Sequence, residues 1–554
     1  MRIVAYPPGK INAKLKTIFL CHYRNFFAAP HKFALLHPGN YDIVINSIPQ
    51  NSVLGKDLNT MEDKKTLKKN LIMFPLGTVG RDMIYNLFTN FIFTFILFTR
   101  GLNAAQLGAV SAIMIGARVF DALNDPIMGN IIERTRTRWG KYKPWLVIGI
   151  LSTSLVVYAA FNTTLTGWKF VWFFAVIYFL YSITYTMHDI SYWGMVPALG
   201  TDAHVRDQFT ARTNLFAGIG GTLAGFFIPM LTTGSSTLGG NTAFAYGRVA
   251  LIVCILAPAF LCFTIFGVRE RRDYGNQPPA PFSFKKIINV FKGNDQLVWI
   301  AVIFLFQQIG NNIVLGGMGS TFIYFDLGYE GGFYSNFSTF GLAATAVLMV
   351  IYPMLASKTT RKSFMKKMLI VSAAGYGLML LVGLFMPSGN AGLKCWILTF
   401  GYMAANFGNY GYYLIMMISI INTVEYNEYL HGEREEALVA SVRPFITKMG
   451  SAVVIAINYI TYLICGVTGY TQQISDFEQQ TSLGVLTETE KLTSINDVIS
   501  HVTNGQKTGL LLVLTVLPFL CMVITFSLYL KHYKLDESEY KRICTVLEER
   551  RAKL

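Results

Sequence analysis

Charged residues are scarce in this chain. Asp, Glu, Lys and Arg make up 14% of its 554 residues, against 53% for the hydrophobic set. Soluble domains usually carry about 25% charged residues, so an ordinary water-soluble globule is excluded. Cysteine is sparse as well. The seven residues, Cys21, Cys254, Cys262, Cys395, Cys465, Cys521 and Cys544, form no CxxC pair and no Cys/His metal spacing. Most sit in apolar stretches, where a free thiol behaves as a small hydrophobe. Neither a disulfide framework nor a thiolate metal centre is expected, and no cofactor is called for. No nucleophile–base pair argues for an enzyme. The string GIGGTLAG (Gly218 to Gly225) lacks the Lys-Ser/Thr ending of a phosphate loop and lies in an apolar run. Close helix packing is its better explanation.

Long apolar runs take the place of charge, among them 90–98, 146–161, 170–181, 250–268, 368–386 and 510–530. With its flanks each reaches about 20 residues, the length of a membrane-spanning helix. Twelve spans are predicted, over 74–99, 104–131, 144–163, 169–199, 209–232, 246–268, 297–325, 334–357, 366–387, 393–424, 438–466 and 508–530. The expected class is an all-α membrane protein with the lipid bilayer as its solvent.

The net charge of +16 invites a nucleic-acid reading, and its placement argues against one. The positive charges cluster in alternate loops, at Arg134–Lys143, Arg269–Lys292 and Lys358–Lys367, while the intervening loops carry few. The positive-inside rule then puts the basic loops and both termini in the cytoplasm of a cell whose (inner) membrane holds the protein. Residues 466–507, rich in Gln, Glu, Asp and Thr, fall outside. Trp139 and Trp145 flank a basic loop and read as interface anchors.

Residues 1–60 differ from the rest. They are basic and aromatic, with no apolar core long enough for a signal peptide. The natural chain is expected to start near Met61, which opens a short polar lead-in. Segment 1–70 is read as an N-terminal extension, either a disordered tail or the product of a misplaced start. A six-span unit over 71–268 and a second over 297–530 flank a polar middle loop, 269–296, and a tail follows over 531–554. Each unit carries a basic loop after its second span, the pattern of an internal duplication.

Ionisable residues inside such spans are costly and mark function. Asp121 and Asp125 are four apart and share a helix face. A carboxylate at mid-membrane costs roughly 2.5–3.5 kcal/mol on insertion scales. Two on one face should line a polar cavity and hold something positive, either Arg118 or a bound cation, which points to ion-coupled transport. Asp82, next to Arg81, reads as a cavity carboxylate or as a helix-start cap. Asp189 and Trp193 share a face. The bland reading of Trp193 is an interfacial belt. Lys448 must pair with Asp121 or Asp125 across the cavity, or snorkel to the surface. His188 points about 100° away from Asp189 on the helix and reads as a packing residue.

Four stretches together resemble a known family: RDMIYN, ARVFDALNDPIMGNIIERTRTRWGKYKPW, YTMHDISYWGMVPAL and TVEYNEY with SVRPFITKMGSA. They look like the glycoside–pentoside–hexuronide:cation symporters, over roughly 71–554. The resemblance implies the major facilitator fold, two six-helix bundles around a central cavity. It implies a cation site at Asp121, Asp125, Asn124 and Thr186, and sugar contacts from Asp82, Asp189, Trp193 and Arg81. Arg212 stands about two residues from the family's substrate arginine, with Asn214 in the matching slot. Lys448 and Arg118 would complete a charge network, and Glu425 and Glu428 match acidic residues at the end of the tenth helix. The coupling ion would be sodium, with proton or lithium as the other choices, and the substrate a sugar, glycoside, pentoside or hexuronide. Rival readings are a symporter of the same fold for a lipid-like amphiphile, a non-transporting membrane sugar sensor and a membrane-embedded glycosyltransferase.

Overall fold

A computed structural model describes residues 61–200, 203–270 and 284–552. The expected extension over residues 1–60 lies outside the described residues. The described chain is helical, and its single β pairing is the isolated bridge between Thr137 and Gly140.

Six long helices come first: α1 (Met61–Thr99), α2 (Ala104–Arg134), α3 (Lys143–Asn162), α4 (Gly167–Leu199), α5 (Ala203–Thr232) and α6 (Thr242–Gly267). A short helix, α7 (Phe284–Gly293), leads into α8 (Asp295–Ile313) and α9 (Gly319–Leu327), which form one span across a kink. Then come α10 (Gly331–Ala356), α11 (Arg361–Phe385), α12 (Ala391–His431) and α13 (Glu436–Ile464). Two polar helices, α14 (Thr468–Ser482) and α15 (Glu488–Ser500), precede the last span, α16 (Asn504–His532), and a terminal helix, α17 (Glu537–Ala552).

Among the described residues, eleven spans are long and apolar enough to cross a bilayer. Helix α12 supplies the twelfth. Its 41 residues are diluted by Asn406, Asn409, Asn422 and Glu425, all buried against neighbouring helices. Polar side chains mark several helix starts. Asn103 and Gln106 form a reciprocal capping box on α2, Asn241 caps α6, and Thr503 with Gln506 repeats the box on α16.

Three sequence expectations change. Residues 61–70, assigned to the N-terminal segment, are the first turns of α1. Lys and Leu favour helix, and no Gly or Pro interrupts before Pro75. At 39 residues α1 is about 58 Å long, so it projects well beyond a hydrocarbon core of about 30 Å. Residues 466–507, read from sequence as a long loop outside the membrane, are mostly helical. The seventh span is broken at Gly316–Gly317, where Gly317 takes φ +112°, a conformation open to glycine and strained for other residues. Asn458 Nδ2 donates to the freed Gly316 carbonyl (2.6 Å) and Tyr462 OH to that of Gly317 (3.1 Å).

The helices pack as two bundles. In the first, α1 lies against α5 and α6, α3 against α4 and α6, and α2 against α4. In the second, α12 contacts α10 and α11, and α8 contacts α12, α13 and α16. The bundles meet through α2 with α13 and α5 with α10. Contacts between them cluster at the end away from the basic loops. Phe93 stacks near Tyr462 with 6.1 Å between centroids, Thr94 Oγ lies 3.3 Å from Ser320 Oγ, and Tyr459 OH donates to the Ala104 carbonyl at 3.1 Å.

Candidate functional site

Two parallel helices of the first bundle build the centre of the site. On α2, Arg118, Asp121 and Asp125 follow at i+3 and i+4 intervals; on α4, Ser182, Thr186, Asp189 and Trp193 do the same. The stripes face each other in register, each pair separated by 61 residues in sequence. Ser182 donates to Asp121 Oδ1, and Thr186 Oγ1 donates to Asp125 Oδ1 at 3.2 Å. Parallel packing of equal pitch repeats the pairing one turn along.

Each carboxylate also has a cationic partner. Arg118 Nη1 lies 3.7 Å from Asp121 Oδ2 on the same helix. Lys448 reaches from α13 in the other bundle and donates to Asp125 Oδ2. Of the two openings left by the sequence, pairing or snorkelling, Lys448 takes pairing, and its carboxylate is Asp125. The two pairs differ in access. Asp121 and Arg118 are sealed in protein, whereas the side chains of Asp125 and Lys448 are 30% and 23% exposed. Asn124 sits beside them, and its side-chain Nδ2 is buried without a hydrogen-bond partner.

Further along α4, Asp189 pairs with α1. Arg81 Nη1 donates to Asp189 Oδ1 (3.1 Å), while its Nε and Nη2 donate to Asp82 Oδ2 (3.0 and 2.7 Å). The guanidinium lies 5.2 Å from the Tyr192 ring centre and 5.3 Å from that of Trp193. Arg81 is buried, yet the Asp189 side chain keeps 37% of its surface open. A planar cation thus joins two carboxylates beside two aromatic rings, and Asp189 is the more exposed of the two carboxylates.

Some residues singled out from sequence lie elsewhere. Arg212 donates to the Leu71 carbonyl at 3.2 Å. That backbone group is ten positions before Arg81 on α1, about 15 Å along the axis, so Arg212 is not brought to the Asp82–Asp189 pair. His188 is fully buried, with Nδ1 3.0 Å from the Leu146 carbonyl of α3, in keeping with a packing role. Trp145 donates to Thr135 Oγ1 at 2.8 Å, and Trp139 is exposed. Glu425 and Glu428 form a separate cluster at the basic end of α12. Arg434 holds them at 3.0 and 3.2 Å, and Arg551 of α17 reaches Glu428 at 2.6 Å.

Sequence reasoning missed Ser182 and Tyr192. Ser182 carries a findable signal, since it stands one turn before Thr186 as Asp121 stands one turn before Asp125. Tyr192 donates to the Phe74 carbonyl, stacks on Phe74 and sets its ring against the Arg81 guanidinium. Nothing in an isolated apolar run marks it out.

A family model described as MFS/sugar transport protein matches residues 73–537. The chain is 28% identical over 436 residues to a lactose permease of Leuconostoc lactis, which covers 75% of this chain and 65% of the permease. It is 27% identical over 397 residues to a raffinose carrier protein of Pediococcus pentosaceus, covering 69% of this chain and 60% of the carrier. The chain therefore spans less than two thirds of the length of these curated relatives. Among solved structures, a D-xylose-proton symporter matches with TM-score 0.50 and 13% identity, over 80% of this chain and 99% of that one. At that identity the likeness is one of fold.

Proposed function

The chain belongs to the MFS/sugar transport family, within the glycoside–pentoside–hexuronide:cation symporters, and on that premise we propose that it couples uptake of a sugar or glycoside to inward movement of one monovalent cation. Members of this family are transporters and not enzymes. The observation that carries the reading is on α4. Thr186, bonded to the cation-site carboxylate Asp125, and Asp189, in the arginine-bridged pair, stand three residues apart on one rigid helix. Whatever orders one site orders the other.

Charge balance supports a single cation. Arg81, Arg118 and Lys448 face Asp82, Asp121, Asp125 and Asp189, three positive groups against four negative. The network is left with one uncompensated negative charge. In an occluded, desolvated cavity that charge is costly, and one monovalent cation cancels it. The cation would take oxygens from Asp121, Asp125, Asn124, Thr186 and Ser182. These hard donors suit sodium, the proposed coupling ion, ahead of a proton or lithium. Arg81 is already shared by two carboxylates, so it has little to offer a uronate. A neutral sugar is favoured over a hexuronide, in line with the relatives named for lactose and raffinose.

Asp82, Asp189, Arg81 and Trp193 would hold the sugar, with hydroxyls on the carboxylates and a pyranose face on the indole. Cation binding pulls Asp125 away from Lys448 and orders α2 against α4; by linkage the sugar tightens cation binding by the same factor. Alternating access follows from rocking of the two bundles about this midplane site. The basic end is assigned to the cytoplasm by the positive-inside rule, with both described termini there and the protein in the cell (inner) membrane. Contacts clustered at the other end then make this an inward-open arrangement.

The test is uptake of a panel of labelled neutral glycosides, pentosides and glucuronides into proteoliposomes, with and without an inward sodium gradient at fixed pH. Sodium-driven accumulation of a neutral glycoside is expected. Accumulation driven by a pH gradient alone would refute sodium, and no uptake of any sugar by folded protein would refute sugar symport.

A further inference from the structure

Helices α14 and α15 stand outside the spans, at the end where the bundles touch. They are tied to the second bundle by three-residue connectors, 465–467 after α13 and 501–503 before α16. Both connectors are short and hydrogen-bonded. Gly466 N donates to the Leu463 carbonyl and Val467 N to that of Tyr462, each at 3.1 Å, and Val502 N donates to the Ile499 carbonyl at 3.1 Å. Three residues span about 10 Å at most, so the pair has little slack.

The helix pair nonetheless packs on the first bundle, α14 lying against α1 and α6. Its central group is Glu478. One carboxylate oxygen accepts from the Thr242 amide (2.9 Å) and the other from Thr242 Oγ1 (2.7 Å), while Asn241 Nδ2 donates to the Glu478 backbone carbonyl. Thr242 is the first residue of α6, so an acidic group from the second half occupies the positive end of a first-bundle helix. Lys491 of α15 lies 3.6 Å from Glu478 and donates to the Gly240 carbonyl at 3.0 Å. Both side chains are 0% exposed. Two flanking contacts extend the grip: Thr237 Oγ1 donates to Glu488 Oε1 (3.1 Å), and the Gly101 amide donates to Ser475 Oγ (2.6 Å).

A buried ion pair of this sort adds little where an apolar pair would do, but breaking it is expensive. We propose that α14–α15 is a clasp that the second bundle closes over the first, with Glu478 seated on the start of α6, and that it must release before this end of the cavity opens. The clasp thereby sets how often the carrier faces the side opposite its basic loops. The proposal rests on the transport reading for its consequence and on the contacts above for its geometry.

The test pairs a lock with a reporter. Thr237→Cys with Glu488→Cys, joined by a short thiol-reactive linker in proteoliposomes, should lose at least tenfold in uptake. A reductively cleavable linker should return the rate on cleavage; single-cysteine controls account for the native thiols. Separately, Ser320→Cys reports opening, since Ser320 is buried at the bundle contact beside Thr94. Glu478→Gln should raise its labelling by a membrane-impermeant maleimide at least tenfold, and the linker should suppress it. Lys491→Met provides a second loosening variant should Glu478→Gln fold poorly. Unchanged uptake in the linked protein, or labelling indifferent to both linker and variants, would show that the pair rides with the first bundle, and would overturn the clasp. If the unlinked protein takes up no sugar, the transport reading fails, while the labelling still decides the clasp.

Discussion

Replacing Asp125 with Asn isolates the charge that the cation is proposed to meet. The amide keeps the shape of the carboxylate and leaves Asp82, Asp189 and Arg81 untouched. A cation about 4 Å from a carboxylate gains about 4 kcal/mol at an effective dielectric near 20. At 1.4 kcal/mol per decade, its loss weakens cation affinity roughly a thousandfold. Lys448 loses its partner as well. Its side chain is 23% exposed, so water takes over part of the solvation and the fold should survive. The network, which carries one negative charge in excess in the native protein, becomes neutral without any cation. The variant should therefore resemble the cation-loaded state: sugar affinity without sodium should match or exceed the native value and should stay flat as sodium is added. Calorimetric titration of sugar at a series of sodium concentrations reads this directly, and accumulation in vesicles should be lost. A tenfold or larger rise of sugar affinity with sodium in Asp125→Asn would refute both the site and the charge count.

Other consequences follow from the same contacts. Trp193→Ala removes the ring against Arg81 and the proposed stacking face, so sugar affinity should fall about tenfold to a hundredfold for a loss of about 1.5–3 kcal/mol, with sodium binding nearly unchanged by calorimetry. Arg212→Ala should leave sugar affinity within about twofold, since its guanidinium serves the Leu71 carbonyl; a loss beyond tenfold in counterflow would return it to the site. Gly317→Ala would place a side chain at φ +112° with its Cβ 3.3 Å from Phe93. It should destabilise the protein by about 1–2 kcal/mol, read as a lower midpoint of thermal unfolding in detergent. Burial pushes the Glu478 carboxyl up, opposed by Lys491 and by the Thr242 hydroxyl and amide, with the Tyr329 phenol also nearby. A carboxyl raised in the docked state binds its proton more tightly there than when undocked. Stability of the clasp is then greatest below the ordinary glutamate range and declines as pH rises through the raised value. Labelling of Ser320→Cys should slow on acidification, and faster labelling at low pH would contradict this sign.

The legible parts of this molecule are those where the bilayer leaves few options. An apolar run of about 20 residues must be a span, and carboxylates or a lysine inside one stand out because they cost so much. Asp121, Asp125, Asp189 and Lys448 were visible on those terms. Which carboxylate Lys448 chooses was not, since the approach of α13 to α2 depends on the packing of two bundles. Ser182 stayed hidden because a hydroxyl in a helix is cheap and common; only its register with Asp121 reveals it. Arg212 misled because its partner, the Leu71 carbonyl, is a backbone group 141 positions away. The Gly316–Gly317 break reads in sequence like any small-residue packing site. Glu478 and Lys491 lie in a stretch polar enough to pass for a solvated loop; Glu478 is buried where α14 lies on α1 and α6 of the other bundle, and Lys491 where it meets Glu478 and the Gly240 carbonyl.

In the proposed coupling, one monovalent cation balances a network of three positive and four negative groups and travels with one neutral sugar. Labelled sodium and labelled sugar entering the same vesicles, measured together at saturating concentrations, test it most directly. A one-to-one ratio is expected for a neutral glycoside, with sodium flux and sugar accumulation both lost in Asp125→Asn. Sugar accumulation with no accompanying sodium, or with two sodium ions per sugar, would contradict it.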